Sequence, residues 1–470
     1  MTRGSKTPLC SLRVKHPENL ADVSVVRSLR ADPCRDVHLA QARPFVASDA
    51  LALAGAIALV LSATTVVLFT FDSRSERDYQ FEALLFGSDL ALIALSIIGA
   101  GGLRAALGSW RRHACALSGL TLGAALVPGV LAHPSDRGMA SLLRLVGAVA
   151  LGLSLGAARS NGRRLIVGAL AVVTLIHVGV AFAERAANGS VGLGSLGEPS
   201  AYIIGGRYAA TGLTVQPYVL AAWCAVVGAA LLAAGRGQVS GRGLTAAAAV
   251  GAFAAIGLTM SRAGLLAGAL ALSALGIKAV RDAVRHRERG QVTTVFAAAG
   301  GFVLGLFANS SGWLSRASGS TGSADAISSG RVALLHQAWS LLQDNLLTGV
   351  GPGRYVLALS ERPELVALSD QSPRPVHLTP LLLVVEGGLV IIPALVLLTI
   401  AIGRACLRGG APAVAVTLAM LPFLALDHLA WSYPQGILLT GIWLGALDLL
   451  AQKRGAEPSS VLRPDAVDAD

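Results

Sequence analysis

Residues 377–402 read HLTPLLLVVEGGLVIIPALVLLTIAI, an apolar run in which Glu386 is the one acid and no lysine or arginine occurs. A helix rises about 1.5 Å per residue, so roughly 20 such residues cross a hydrocarbon core about 30 Å thick. The stretch is long enough to span a bilayer. A soluble core helix of this length would carry charges on its outer face, and this one does not.

Working outward, comparable runs recur along the chain. They predict spans near 49–71, 83–101, 114–132, 138–158, 164–184, 213–234, 243–260, 261–280 and 291–309, and, after the quoted stretch, near 411–430 and 434–452. The fold class expected is an all-α integral membrane protein of about twelve transmembrane helices. Spans seven and eight run together, separated only by Ser261 and Arg262, which reads as a tight re-entry. Residues 1–48 form a polar arm without an apolar run, expected to be disordered and cytoplasmic. The membrane domain extends over 49–452, and 453–470 form a cytoplasmic tail; no cleavable signal peptide is expected ahead of the first span.

Composition agrees with this scaffold. The chain of 470 residues is 54% hydrophobic and only 14% charged, against about 25% charged in soluble proteins. Its 54 glycines suit helices that approach closely in lipid. The net charge of +11 does not indicate nucleic-acid binding, because the basic residues lie in short clusters between spans. With the N-terminus inside, the clusters Arg104/Arg111/Arg112, Arg159/Arg163/Arg164, Arg281/Arg285/Arg287/Arg289 and Arg404/Arg408 all fall on the cytoplasmic side. The five cysteines show no CxxC spacing, so neither a metal site nor a disulfide framework is expected, and no cofactor motif is present.

The same orientation places two long connections outside, 185–212 and 310–376, the second ahead of the tenth span. Loops of such length in compact proteins carry function or are disordered. Residues 310–329 are rich in Ser and Gly and read as flexible. Val332, Leu335, Trp339 and Leu342 then recur at helical spacing, with Ser329 as a possible cap, and predict a helix on the outer membrane surface. It ends at Gly349-Val350-Gly351-Pro352-Gly353, which cannot continue a helix.

Arg207, Arg262, Arg331 and Arg354 stand outside, close to apolar segments, where lysine is absent. A guanidinium offers a planar fork to phosphate and keeps its charge at a dehydrated interface. Such a group of arginines suits a lipid diphosphate leaving group held without a metal ion. Taken singly, each is as readily a snorkelling headgroup contact. His377 is placed to accept a proton from a hydroxyl at neutral pH. Glu386, deeper in the span, marks either structure or substrate binding. Asp427, His428 and Trp431 border the same region.

Together these segments resemble the O-antigen ligase and polymerase superfamily. The resemblance rests on Ser261-Arg262-Ala263-Gly264 entering a span, and on Arg331 leading a helix that ends in the 349–353 loop. It rests also on His377 opening a span with Glu386-Gly387-Gly388, and on Arg207, Gly212 and Pro217 before an earlier span. Asparagine is usual after both the proline and the histidine; Tyr218 and Leu378 stand there instead.

The resemblance implies a helical membrane glycosyltransferase, metal-independent and inverting. Such enzymes take a glycan from an undecaprenyl diphosphate carrier at the outer face of the cytoplasmic membrane and pass it to a glycan or lipid acceptor, as polymerase or ligase. Arg207, Arg262 and Arg331 would hold the diphosphate, with Arg354 as a further contact, and His377 would orient or deprotonate the acceptor. Three other classes stay open. A transporter or flippase would show broken or charged helices at mid-membrane. A different glycosyltransferase would use Asp72, Glu76, Asp78 and Glu82 in the first outer loop. The last is a non-catalytic scaffold.

Overall fold

The computed structural model describes residues 55–57, 67–70, 84–86, 108–157, 160–199, 202–204, 206–214, 216–234, 242–286, 289–318, 331–368 and 373–454. The polar arm, the acids at 72–82 and the C-terminal tail lie outside the described residues. So do most of the first two expected spans. Within those two spans, β1 (Val67–Thr70) and β2 (Leu84–Phe86) form an antiparallel pair. Valine, phenylalanine and threonine favour extended backbone there over the expected helix.

The rest of the described chain is a helical bundle. Spans three to nine appear as α1 (Ala114–Ala132), α2 (Asp136–Ala157), α3 (Ser160–Ala187), α4 (Pro217–Ala234), α5 (Arg242–Leu258), α6 (Arg262–His286) and α7 (Arg289–Ala308). The last two follow as α14 (Ala411–Leu426) and α16 (Pro434–Arg454). Eight helices among the described residues are long and apolar enough to cross a membrane, and α5 and α14 are shorter apolar helices. The protein is a membrane-embedded helical protein.

Exposure orders the layers. The apolar windows of α4 and α16 are 83% buried within the protein, whereas those of α7 and of the span at 389–409 are only 22% buried. The first pair is therefore the centre and the second the lipid-facing rim. Small residues let backbones meet. A Cβ on Gly441 of α16 would lie 2.0 Å from the Ala148 carbonyl of α2, and one on Gly257 of α5 would lie 2.4 Å from Gly305 of α7. Without a hydrophobic force between helices in lipid, such close seams supply the dispersion contacts that hold the bundle.

The tenth span departs from expectation. It is not one helix over 377–402 but a short α12 (Thr379–Gly387), a 3₁₀ turn, and α13 (Ile392–Gly409). The break falls at Gly388, whose φ is +69° and whose Cβ position lies 2.1 Å from the Leu347 carbonyl. Only glycine fits both the left-handed backbone and the approach.

Of residues 310–329, read as flexible, Ser310–Ser318 form α8, and 319–329 lie outside the described residues. Trp313 Nε1 donates to the Gly257 carbonyl at 3.0 Å, Arg316 to Met260 at 2.6 Å, and Asn309 to Leu258 at 3.3 Å. These side chains satisfy carbonyls left over where α5 ends, which is what folds the segment back. Next come α9 (Arg331–Asp344), α10 (Tyr355–Ser360) and α11 (Pro363–Val366). On α9, Val332, Leu335 and Trp339 are exposed as the periodicity predicts. Leu342 is buried instead, with Leu334, Ala338 and Leu341 on the face that joins the core of α1, α2 and α12.

Candidate functional site

Successive helices alternate in direction, so the turns at 133–135, 188–216, 259–261, 309–378 and 427–433 share one end of the bundle. Among the described residues, every candidate named from the sequence lies at that end or, for Glu386, one helix below it; Asp72, Glu76, Asp78 and Glu82 lie outside the described residues. The structure arranges them in three groups.

The first surrounds the re-entry between α5 and α6. Met260 takes φ +53°, and Ser261 caps α6 by accepting the Gly264 amide at 3.1 Å on its hydroxyl. This turn presents Arg262, exposed, at the head of α6. Arg316 on α8 feels the Arg262 charge, and burial lowers its own pKa. Arg207 lies in the two-residue strand β4 (Arg207–Tyr208), paired with β3 (Ile203–Ile204), and donates to the Ser311 hydroxyl at 3.1 Å. Behind it, the fully buried Glu184 accepts from the Thr211 hydroxyl at 2.6 Å and from the Thr211 and Gly212 amides at 2.9 Å each. That carboxylate fixes the loop leading out of β4.

The second group is tighter. Arg331, first residue of α9, donates to the Leu426 carbonyl at 3.1 Å where α14 ends. Asp427 follows, its carboxylate accepting the amides of His428 and Leu429 at 2.7 and 3.1 Å to start α15 (Leu429–Ser432). His377 meets His428 edge to face with ring centroids 5.0 Å apart. His428 stacks on Tyr433, whose hydroxyl is 2.7 Å from that of Tyr218. Burial, with the charges of Arg374 and Arg331, lowers the His377 pKa to about 4. Burial pushes the Asp427 carboxyl up to about 6, against its amide donors and Arg331. Tyr202 interacts electrostatically with both Arg316 and Asp427, one residue from each of the first two groups.

The third group is the glycine-rich loop. Val350 and Gly351 donate to the carbonyls of Val385 and Glu386 at 3.0 Å each. The Glu386 carboxylate, 3% exposed, accepts the Gly353 amide at 2.7 Å, the Tyr355 amide at 3.2 Å and Trp431 Nε1 at 2.6 Å. Its oxygens are engaged by the protein itself. Arg354, just before α10, lies against the turn between α1 and α2; the Cβ position of Gly351 is 2.8 Å from His133 and 3.3 Å from Arg354 Cδ.

Several buried polar atoms at this end find no protein partner: Arg331 Nε, Arg354 Nε, His377 Nδ1, His428 Nδ1 and both side-chain atoms of Gln435. Buried polar groups are nearly always paired, so such a concentration marks a place where a polar ligand or water completes the set. Arg316, Arg374 and Gln435 were not singled out in the sequence. Arg316 sat in serine-rich sequence and Arg374 between two prolines; the readable signal was arginine without lysine throughout this loop.

Comparison with curated proteins finds no match. Residues 247–398 match the family model described as O-antigen ligase. The matched segment runs from α5 into α13 and contains Arg262, Arg331, Arg354, His377 and Glu386, leaving Arg207 and His428 outside it. Through that domain, which spans less than half of the chain and sits in a bundle of helices long and apolar enough to cross a membrane, the protein is similar to the O-antigen ligase family.

Proposed function

We propose that the protein transfers a glycan from an undecaprenyl diphosphate carrier to a glycan or lipid acceptor at the outer face of the cytoplasmic membrane, with inversion and without a metal ion. The observation that carries this reading is the convergence of Arg331, Arg374, His377, His428 and Asp427 at one end of the bundle. The group of Arg207, Arg262 and Arg316 is linked to these residues through the charge interactions of Tyr202 with Arg316 and Asp427. The outward placement rests on the opposite end, which carries Arg111, Arg112, Arg164, Arg285, Arg404 and Arg408, as cytoplasmic ends do.

In this mechanism the arginines hold the diphosphate and disperse the charge that develops as the bond between the anomeric carbon and the phosphate oxygen breaks. The acceptor hydroxyl attacks that carbon from the opposite face, and its proton passes to His377. With its pKa lowered to about 4, His377 is neutral at pH 7 and able to take the proton. The same low value makes it a weak base, so its task is at least as much to orient the hydroxyl. Arg354 lies in a different group and is assigned to the carrier or glycan instead of the leaving group. Glu386 acts on substrate only through the 349–353 loop.

Transport also has one feature in its favour, the broken tenth span. Broken helices in transporters leave backbone groups for a substrate. Here Leu389 donates to the Leu346 carbonyl at 2.8 Å, and Gly351 and Val350 take the carbonyls of the preceding turn. The freed groups are used by the loop, which favours catalysis. Glycan profiling of a deletion strain tests the choice. Under the proposal the strain accumulates carrier-linked glycan, wild type restores the product, and Arg331→Ala does not. Unchanged surface glycans in the deletion strain would remove the basis for it.

A further inference from the structure

The end of the bundle opposite the candidate site holds a cavity of about 350 Å³ between α1, α13 and α16. Arg111, Arg404 and Arg408 line it together with Trp110, over a floor that includes Ala401 and Ala405. Arg404 and Arg408 are one helical turn apart, so their guanidinium groups share a face of α13. Arg111 lies over the Trp110 ring at 5.6 Å and joins them in the lining. Asp448 is the one acid in the lining. Its two oxygens accept the amides of Cys115 and Ala116 at 2.9 and 3.0 Å, so it is committed to the start of α1 and leaves the three arginines in excess.

The same helix face continues into lipid. Val396, Ile400, Arg404 and Arg408 follow at four-residue intervals, and Val396 and Ile400 are 50% and 45% exposed. A ligand anchored at the arginines thus has an apolar track beneath its headgroup, along one of the two least buried spans of the bundle. Trp110, 54% exposed, stands at the level where aromatic side chains mark the membrane interface.

We infer that this cavity is a binding site for the phosphate headgroup of an anionic phospholipid, whose acyl chains lie along Val396 and Ile400 of α13. Arginine forks match phosphate geometry, and a basic pocket between membrane helices selects anionic headgroups. The apolar track distinguishes a lipid from a free anion, for which it would have no use. The site lies at the far end from the proposed chemistry and does not depend on it.

The test is native mass spectrometry of the full chain, purified in detergent and then exchanged into nanodiscs of phosphatidylcholine containing phosphatidylglycerol or cardiolipin. Wild type is expected to retain an anionic phospholipid after delipidation. The Arg404→Gln/Arg408→Gln double variant is expected to retain about 30-fold less, from roughly fivefold per arginine near an anionic headgroup. Arg111→Gln alone gives a smaller loss, which keeps the test valid should the double variant fold poorly. Arg281→Gln/Arg285→Gln, in another basic segment of the same end, should retain lipid like wild type. Equal retention by wild type and the α13 variant overturns the inference. So does displacement by millimolar inorganic phosphate with no preference for lipid, which would make the cavity a free-anion site.

Discussion

His377 and His428 meet edge to face, ring centroids 5.0 Å apart, although they come from opposite ends of two different helical segments. His377 precedes α12, while His428 lies between α14 and α15. Their neighbours are cationic, and burial comes first among the causes that hold both imidazoles neutral, at about 4 for His377 and about 3 for His428. The pair therefore stays uncharged where an ordinary histidine titrates.

One consequence is a stability that depends on acid. In the unfolded chain these histidines take protons near pH 6.5, but in the fold only near 4 and 3. As pH falls from 6.5 toward 4 the unfolded state binds more protons, so stability present above 6.5 is lost across that window. Thermal unfolding of the purified protein at pH 7, 5.5 and 4 should show this decline. A shallower decline is expected in His377→Gln; an identical slope would remove His377 from the account.

Transfer itself should keep its rate down to about pH 5, because His377 remains neutral there. His377→Ala is expected to lower turnover by 10²- to 10⁴-fold if general-base help is lost, with donor binding less affected. An acid limb near 6.5 in wild type would contradict the assigned neutral state.

Arg331→Ala should lower transfer by about 10²- to 10³-fold, the usual cost of losing a donor to developing charge. Arg331→Lys is expected to recover little, since an ammonium lacks the fork that reaches both Leu426 and a phosphate. Turnover measured with carrier-linked donor, alongside membrane insertion of each variant, separates loss of chemistry from loss of protein.

Glu386→Ala removes the acceptor of three donors at once, leaving the Gly353 and Tyr355 amides and the Trp431 indole unpaired. The expected cost is about 3–5 kcal/mol of stability, with Trp431→Phe costing about 1–3 kcal/mol. Chemical unfolding in detergent reads both; a stable Glu386→Ala protein lacking only activity would return the residue to substrate binding.

Gly388→Ala sets a Cβ 2.1 Å from the Leu347 carbonyl at a φ of +69°. Folded yield should collapse, whereas Gly300→Ala, with open space around its Cβ position, should express normally. Fluorescence-detected size exclusion distinguishes them.

The spans were legible because lipid imposes one rule, about 20 apolar residues with internal hydrogen bonds, that sequence reports directly. The re-entry at Ser261-Arg262 was legible for the same reason: two span lengths meet there. The break at Gly388 was not, since Glu386-Gly387-Gly388 is continuous in hydropathy and the break depends on Leu346 and Leu347, some forty positions earlier. For the site, arginines near apolar segments named Arg207, Arg262, Arg331 and Arg354. Their division into groups came from tertiary packing. Arg354 joined the α1–α2 turn because glycines at 351 and 353 allow close approach to His133 and Arg137. The place of His428 beside His377 followed from where α14 ends, a boundary that composition does not mark.

Because α12 stops at Gly388 and is fastened to the segment before it, His377 and Glu386 are carried by a peg hinged from the loop, and the membrane rod beneath takes no part in aiming them. The 3₁₀ turn at Leu389–Ile391 separates α12 from α13, so a rotation of α13 is expected to be taken up there before it reaches His377. One alanine inserted in α13 near Leu398 turns only the rest of that helix, as far as Gly409, by about 100°, and the proposed site should keep its register. The same insertion within α12 would swing His377 away from His428 and silence the protein. The fold thus separates where the chain is anchored in lipid from where its chemistry is aimed.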